Sequence, residues 1–325
     1  MAQINTTFST YDSAGLREQL ANIIYDVDNE ERPFMSAIGR ETLKGKLEEW
    51  QLDALAAATT ANAVIEGDDV ATFPALVATT RVKNYIQTSQ KLMLISDDEE
   101  KVEKAGRGSE IDYQVVKKGR ELYRDVEAII CGNQASLAGD DTTPRRTGSF
   151  EAWITSNDSR NTGGVDGGYN TGTGIVDAAT DATTTRALTE EIFQNTLQNV
   201  WAAGGHAGLA ICGGTHKRAI SKFANATAGG TATVTRFDDN DDMRLVTAIE
   251  IYRHDFGTIR IEPSIFVRTR GIMIVDASMW SLGWFRDLEV VPLAKTGHAE
   301  KRMLRCSYGL LSKNEKSSAQ IADLT

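Results

Sequence analysis

The residues with most potential for chemistry lie in the second half of the chain. Leu209 to Phe223 runs from an apolar stretch through Gly213-Gly214 into Thr215-His216-Lys217-Arg218, the outline of a phosphate-cradling turn. That chemistry needs a glycine before the lysine and a Ser or Thr after it, and here His216 and Arg218 stand in those places. A glycine-tight strand-to-helix turn is the expected structure. Asp238-Asp239-Asn240-Asp241-Asp242 has the acid density of a calcium loop, but Met243 replaces the glycine that bends such a loop and Ile249 replaces its bidentate glutamate. A solvated acidic turn is expected. Asp97 to Glu100 are four consecutive acids directly after Ser96, which fits the first turn of a capped helix better than a metal site. His206, His216, His254 and His298 show no zinc-ligand spacing, and no cysteine pair accompanies them. Gly172-x-Gly174 lacks a third glycine and reads as a loop, and no GxSxG elbow occurs. No catalytic, cofactor-binding or metal-ligating residue is assigned, no cofactor is expected, and enzyme chemistry is not indicated.

With 325 residues the chain can bury a large core, and two domains are the length-based expectation. No apolar run approaches 18 residues, so no membrane-spanning helix is expected, and the N-terminal sequence lacks the basic and apolar regions of a signal peptide. Cys131, Cys212 and Cys306 sit in apolar stretches and read as buried free thiols of a reducing compartment. The net charge of −10 argues against sequence-specific nucleic-acid binding, which draws on neutralisation of phosphates by basic side chains. Charge is uneven, however: Lys301 to Lys316 carries five bases against Glu315 alone. Unlike surfaces on one chain suit self-association, though they are equally common on monomers.

The strongest helical pattern runs from Ser109 to about Asn133. Ile111, Val115, Leu122, Val126 and Ile129 or Ile130 recur at helical steps, and Ser109 with Asp112 is a near match to a capping box. The opposite face is charged, with Lys117, Lys118, Arg120 and Arg124, and pairs Glu121–Arg124 and Arg124–Glu127 are expected one turn apart. Before this helix come an N-terminal arm with an amphipathic stretch (Leu16 to Val27), an anchor at Pro33-Phe34 and Ile38, and an excursion from Lys44 to Ile95. In that excursion two strand-like arms, Leu47 to Leu52 and Thr80 to Ile95, flank an Ala/Thr-rich section that has no core of its own. A loop of this length is usually functional or covered. Trp50 and Phe73 upon it are candidates for contact with another chain. After the helix, short strands and helices alternate: Thr189 and Thr215 are expected helix caps, Ile192, Leu197, Val200 and Trp201 an expected buried face, and Leu209–Cys212, Leu245–Tyr252 and Ile272–Val275 expected strands. Met303 to Leu311 is expected to return to the sheet packed on the long helix.

Taken in order, these parts resemble the major capsid proteins of tailed bacteriophages, the Hong Kong 97-type family. Several runs carry the likeness: GRGSEIDYQVVKKGREL, RRTGSFEAWITSN, DFGTIRIEP and LAKTGHAEKRMLRCSYGLLSKNEKSSAQIADL. The resemblance implies an α+β Hong Kong 97-type capsid fold. Residues 1–43 would form an N-terminal arm and anchor, 44–95 an extended loop (E-loop) over a neighbouring subunit, 96–145 with 291–325 a peripheral domain carrying the spine helix, and 146–290 an axial domain. It implies self-assembly into pentamers and hexamers of a closed icosahedral head in the virion, built in the bacterial cytoplasm. A separate scaffolding protein, a portal, packaged double-stranded DNA held non-specifically and a decoration protein would be the partners, with no membrane. In the shell the charged helix face would look to the interior or to an adjacent subunit. Two other readings stay open: an encapsulin-like compartment with an enzyme cargo, and a metal- or nucleotide-dependent enzyme built on Asp238–Asp242 or Gly213–Lys217.

Overall fold

A computed structural model describes residues 31–67, 73, 75–104, 106, 108–223 and 250–325. The arm before residue 31, the acidic run Asp238–Asp242 and the first part of the strand expected from Leu245 lie outside the described residues. In chain order the first elements are α1 (Pro33–Ala37), β1 (Gly39–Thr42), β2 (Leu47–Leu52), β3 (Thr80–Tyr85), β4 (Gln87–Ser96), α2 (Asp97–Lys101) and α3 (Glu110–Ile130). Then follow α4 (Phe150–Trp153), β5 (Asp158–Ser159), β6 (Gly168–Asn170), β7 (Ile175–Asp177), α5 (Glu190–Ala202), β8 (Leu209–Cys212) and α6 (Gly214–Ile220). The last elements are β9 (Ile251–His254), β10 (Gly257–Pro263), β11 (Ile272–Val275), β12 (Trp280–Leu293), β13 (Ala299–Ser312) and β14 (Ala319–Ile321).

The spine helix α3 starts as its sequence dictates, with the Ser109 hydroxyl accepting from the Asp112 N–H at 3.1 Å. A second cap comes from α2, where a Glu100 carboxylate oxygen accepts from the N–H groups of Glu110 and Ile111. Hydrogen bonds to the ionised form hold Glu100 below the usual carboxylate range. Of the acidic run, Glu100 thus caps α3, while Asp97 pairs with Lys295 and Glu99 with Lys104. Leu122, Val126 and Ile130 are fully buried, and Gly119 lets the helix approach the sheet so closely that a Cβ there would lie 3.3 Å from a Leu288 methyl.

The opposite face departs from expectation. Lys118, not Arg124, pairs with Glu121 at 2.8 Å, and the Arg124 guanidinium lies 5.7 Å from the Phe266 ring centroid. Glu127 is wholly buried, because its carboxylate takes the Phe34 and Met35 N–H groups, each at 2.9 Å. Those are orphan donors at the start of α1, so Glu127 caps a second helix across the core. Phe34 then sits among Phe150 and Trp280.

Among the described residues two larger sheets accompany the two-stranded pairs β2–β3 and β6–β7. The four-stranded sheet runs β1-β12-β13-β4, and α3 packs on it. The six-stranded sheet runs β5-β14-β11-β8-β10-β9, with α5 covering it. The stretch read as one strand from Thr80 to Ile95 divides at Ile86: β3 pairs with β2 in a separate hairpin, whereas β4 pairs with β13 over ten positions. The boundary expected at 290/291 falls inside the fourteen-residue strand β12. The tail also divides. β13 returns to the spine-helix sheet as expected, but β14 lies between β5 and β11 in the other sheet.

Smaller corrections follow from packing. α2 spans only Asp97–Lys101 and ends at Val102. Thr189 caps α5 as expected, but Phe193 leads its buried face and Trp201 is half exposed, stacked on Phe256 at 4.9 Å. Gly213, not Thr215, is the N-cap of α6. Gly172 and Gly174 belong to the β6–β7 hairpin turn, where the Asn170 carboxamide oxygen accepts from Gly172 and Thr173.

Candidate functional site

The groups with chemical potential are mostly satisfied by the fold. His216 is buried with Nε2 2.7 Å from the Thr269 carbonyl, and the Lys217 ammonium donates to the Ile261 carbonyl at 2.7 Å. Burial lowers the Lys217 pKa. His254 stacks near Tyr252, and His298 lies exposed beside Asp97 and Asp98. All three cysteines are buried and free; burial pushes the thiols of Cys212 and Cys306 up to about 11 and about 12, the wrong direction for a nucleophile. Among the described residues no group of three or more His, Cys, Asp or Glu could hold a metal ion. No described helix is long and apolar enough to cross a membrane.

A buried ionic network went unnoticed in the sequence. Arg160 reaches Glu151 at 2.7 Å and Asp158 at 2.6 Å; Arg268 binds Glu151 and Asp181; Arg270 reaches Asp323 at 3.2 Å. Asp323 adopts a left-handed backbone, φ 59°, and accepts the Ala182 and Asn161 N–H groups. The network ties the chain after the spine helix, the 181 region, the 268–270 loop and the C-terminal segment together. Burial pushes the Asp158 carboxyl up to about 7 against the pull of Arg160, and its Oδ1 has no hydrogen-bond partner. Four charged segments spread over 170 residues leave no local sequence signal.

What remains unsatisfied is a surface. The β2–β3 hairpin is rooted firmly. The Trp50 indole N–H donates to the Ser312 carbonyl at 2.8 Å, and its ring lies 5.5 Å from Trp153, which stacks on Tyr169. Buried Asn84 bonds Thr147, Gly148 and Leu310. Of the two aromatic candidates, Trp50 therefore folds back onto its own chain, while Phe73 is 82% exposed. Beyond the hairpin, Leu55, Val64, Ile65, Leu76 and Val77 are all at least 79% exposed. Leu92 and Leu94 project from β4, an edge strand, and Leu293 from the same sheet face, also exposed. Exposed large apolar groups concentrated in one stretch of chain mark interaction surfaces. On α3, Lys117 and Arg120 are exposed whereas Lys118 and Arg124 are half-buried.

Comparison with known proteins agrees with a chain that works by contact. The family model described as SU10 major capsid protein matches residues 2–325. The major capsid protein of Escherichia phage Phieco32 is 27% identical over 350 aligned positions, covering 96% of each chain. Among solved structures, one of Mycobacterium phage Bobi superposes with TM-score 0.62 at 10% identity, covering 97% of this chain and 98% of that one. The capsid of a native GTA particle gives 0.59 at 12%, covering 99% and 100%. Phage G gp27 major capsid proteins, solved with gp26 decoration proteins, give 0.56 at 11% over the full length of both chains.

Proposed function

The chain belongs to the SU10 major capsid protein family, and from that premise we propose that its work is done by surfaces that only other copies complete. It is a structural protein of the phage head, located in the virion capsid, and not an enzyme. Its α+β fold is of the Hong Kong 97 type. One observation carries the proposal: a firmly rooted hairpin ends in a stretch with six large apolar side chains at least 79% exposed. Such a stretch gains a core only from another molecule, and in a closed symmetric shell every copy can supply one.

In this reading residues 44–86 act as the E-loop over a neighbour. α3 with the four-stranded sheet forms the peripheral body, including β4 and most of β12. The six-stranded sheet with β14 forms the axial body, meeting its copies in pentamers and hexamers. The charged face of α3 looks to the shell interior or an adjacent subunit. Each interface is modest, and closure of the shell makes the sum stable. A net charge of −10 keeps the subunit from collapsing onto DNA before closure, so the genome is held without being read. A separate scaffolding protein, a portal and a decoration protein complete the set of partners.

Electron microscopy of the overexpressed full chain tests the reading. Regular shells or capsomers are the expected result, and a stable small oligomer under all conditions would overturn it. Particles from infected cells should contain DNA.

A further inference from the structure

The outer face of the four-stranded sheet changes character along its length. Register places Leu92 opposite Met303 and Leu94 opposite Lys301, which in turn faces Leu293, so one end of this face is an apolar strip. At the other end lies a cavity of about 240 Å³ with Ile86 in its lining and Phe285 exposed beside it. Four cations line it: Lys46, Arg145, Arg286 and Arg305. Arg286 and Arg305 share one carboxylate, Glu289, at 3.8 and 3.1 Å. Among the described residues Lys46 and Arg145 have no carboxylate within ion-pair distance. Positive charge is therefore in excess at this spot on an acidic protein.

The stretch that carries the exposed side chains beyond the hairpin has the opposite character in its composition. Residues 53–79 contain Asp53, Glu66, Asp68 and Asp69 and not one Lys or Arg. Val64-Ile65 leads directly into the turn at Glu66-Gly67, where Gly67 has φ +81°. On the sheet face the apolar strip runs directly into the pocket, with Met303 two residues, about 7 Å along β13, from Arg305. On the loop Val64-Ile65 likewise runs directly into Glu66. The chain's own loop is a poor occupant. β2 begins immediately after Lys46 and pairs with β3 over six positions, which carries the loop about 20 Å along the hairpin from the pocket.

We propose that the acidic turn around Glu66 of one copy seats in the basic pocket of Lys46, Arg145, Arg286 and Arg305 on a neighbouring copy. Val64 and Ile65 then lie on the strip of Leu92, Leu94 and Leu293. This rests on the reading of residues 44–86 as an arm over a neighbour, and adds where its tip lands and that charge sets its register. Reversing pocket charge would displace the tip even where the apolar contact is retained.

A cysteine pair across the contact is the direct test, because the native thiols are buried. Full-length chains carrying Glu66→Cys with Lys46→Cys, or Glu66→Cys with Arg145→Cys, are assembled, oxidised and run without reductant. A ladder of covalently linked chains, at least tenfold above either single variant, is expected. Intact particles without linkage for both pairs would overturn the proposal, as would linkage confined within single chains. Should the cysteine variants not assemble, Lys46→Glu with Arg145→Glu reads the same contact. Shell yield should fall at least tenfold at low salt and recover on adding Glu66→Lys; unchanged yield overturns the proposal. Shells of normal yield that hold markedly less DNA would assign the pocket to nucleic acid instead, and also overturn it. Deleting residues 55–77 separates the two levels. If that variant fails to assemble and the cysteine pairs do not link, the arm stands and the pocket is not its seat. If it assembles normally, both readings fall.

Discussion

Phe34 and Phe73 stand beside a proline each and end in opposite environments. Phe34 is fully buried against Phe150 and Trp280, with its N–H held by Glu127. Phe73 is 82% exposed on the loop. The difference lies in what the surrounding chain can offer. Around Phe34 the spine helix, β12 and β13 converge from three parts of the sequence and close a core. Around Phe73 the chain is Ala- and Thr-rich, and the described residues 53–67 and 75–79 form no strand or helix. One region is complete within the subunit, and the other is left for assembly.

That contrast can be broken or sharpened by substitution, with effects on the isolated subunit falling in a definite order. Phe34→Ala should cost about 3–5 kcal/mol, as for other fully buried aromatics, and urea denaturation of the dissociated subunit would measure it. A loss under about 1 kcal/mol would mean that the anchor is not part of the core. Glu127→Ala leaves one buried and one half-buried N–H group without an acceptor and should cost about 2–3 kcal/mol. Glu127→Gln keeps one acceptor oxygen and should cost less, so equal losses would contradict the double cap.

Asp158 supplies a pH test. Its folded pKa of about 7 lies above the ordinary 3.8, so its contribution to stability is full below about pH 4 and is lost as pH rises through about 7. Measured against Asp158→Asn, which does not titrate, the native subunit should lose about 3 kcal/mol between pH 4 and 7. Parallel stability curves would show that the carboxyl is not perturbed. Smallest of all, Phe73→Ser with Leu76→Ser should change subunit stability by less than about 0.5 kcal/mol, because neither side chain has a core to leave. The same variant should assemble poorly in a sedimentation assay. Normal assembly would show that the exposed loop is not an adhesive surface.

Much of the local structure was legible in the chain. The Ser109 start of α3, its apolar stripe, the Thr189 cap, the buried strands Leu209–Cys212 and Ile272–Val275 and the return of Met303–Leu311 follow from periodicity and capping. These are signals within one element, carried by residues a few positions apart. The errors share a different cause. Glu127 reads as surface because its period places it beside charged neighbours, yet its partners are 92 and 93 residues away. Trp201 reads as core by the same periodicity, but Phe256 covers only one side of it. The division at Ile86 is silent, since both halves have strand character and only their partners differ.

The acidic, base-free composition of residues 53–79 and the poverty of that stretch in core-forming pattern were determined by sequence alone. So was the length of the spine helix to within a few residues, because helix start and stop depend on local hydrogen bonds. Tertiary structure decided which residues those elements serve. Pairing across some 200 positions sets Leu94 beside Lys301 and sends β14 to a different sheet from β13. Only that pairing gathers Lys46, Arg145, Arg286 and Arg305 at one end of a sheet, since side chains so far apart in the chain meet through the fold and leave no trace in their spacing.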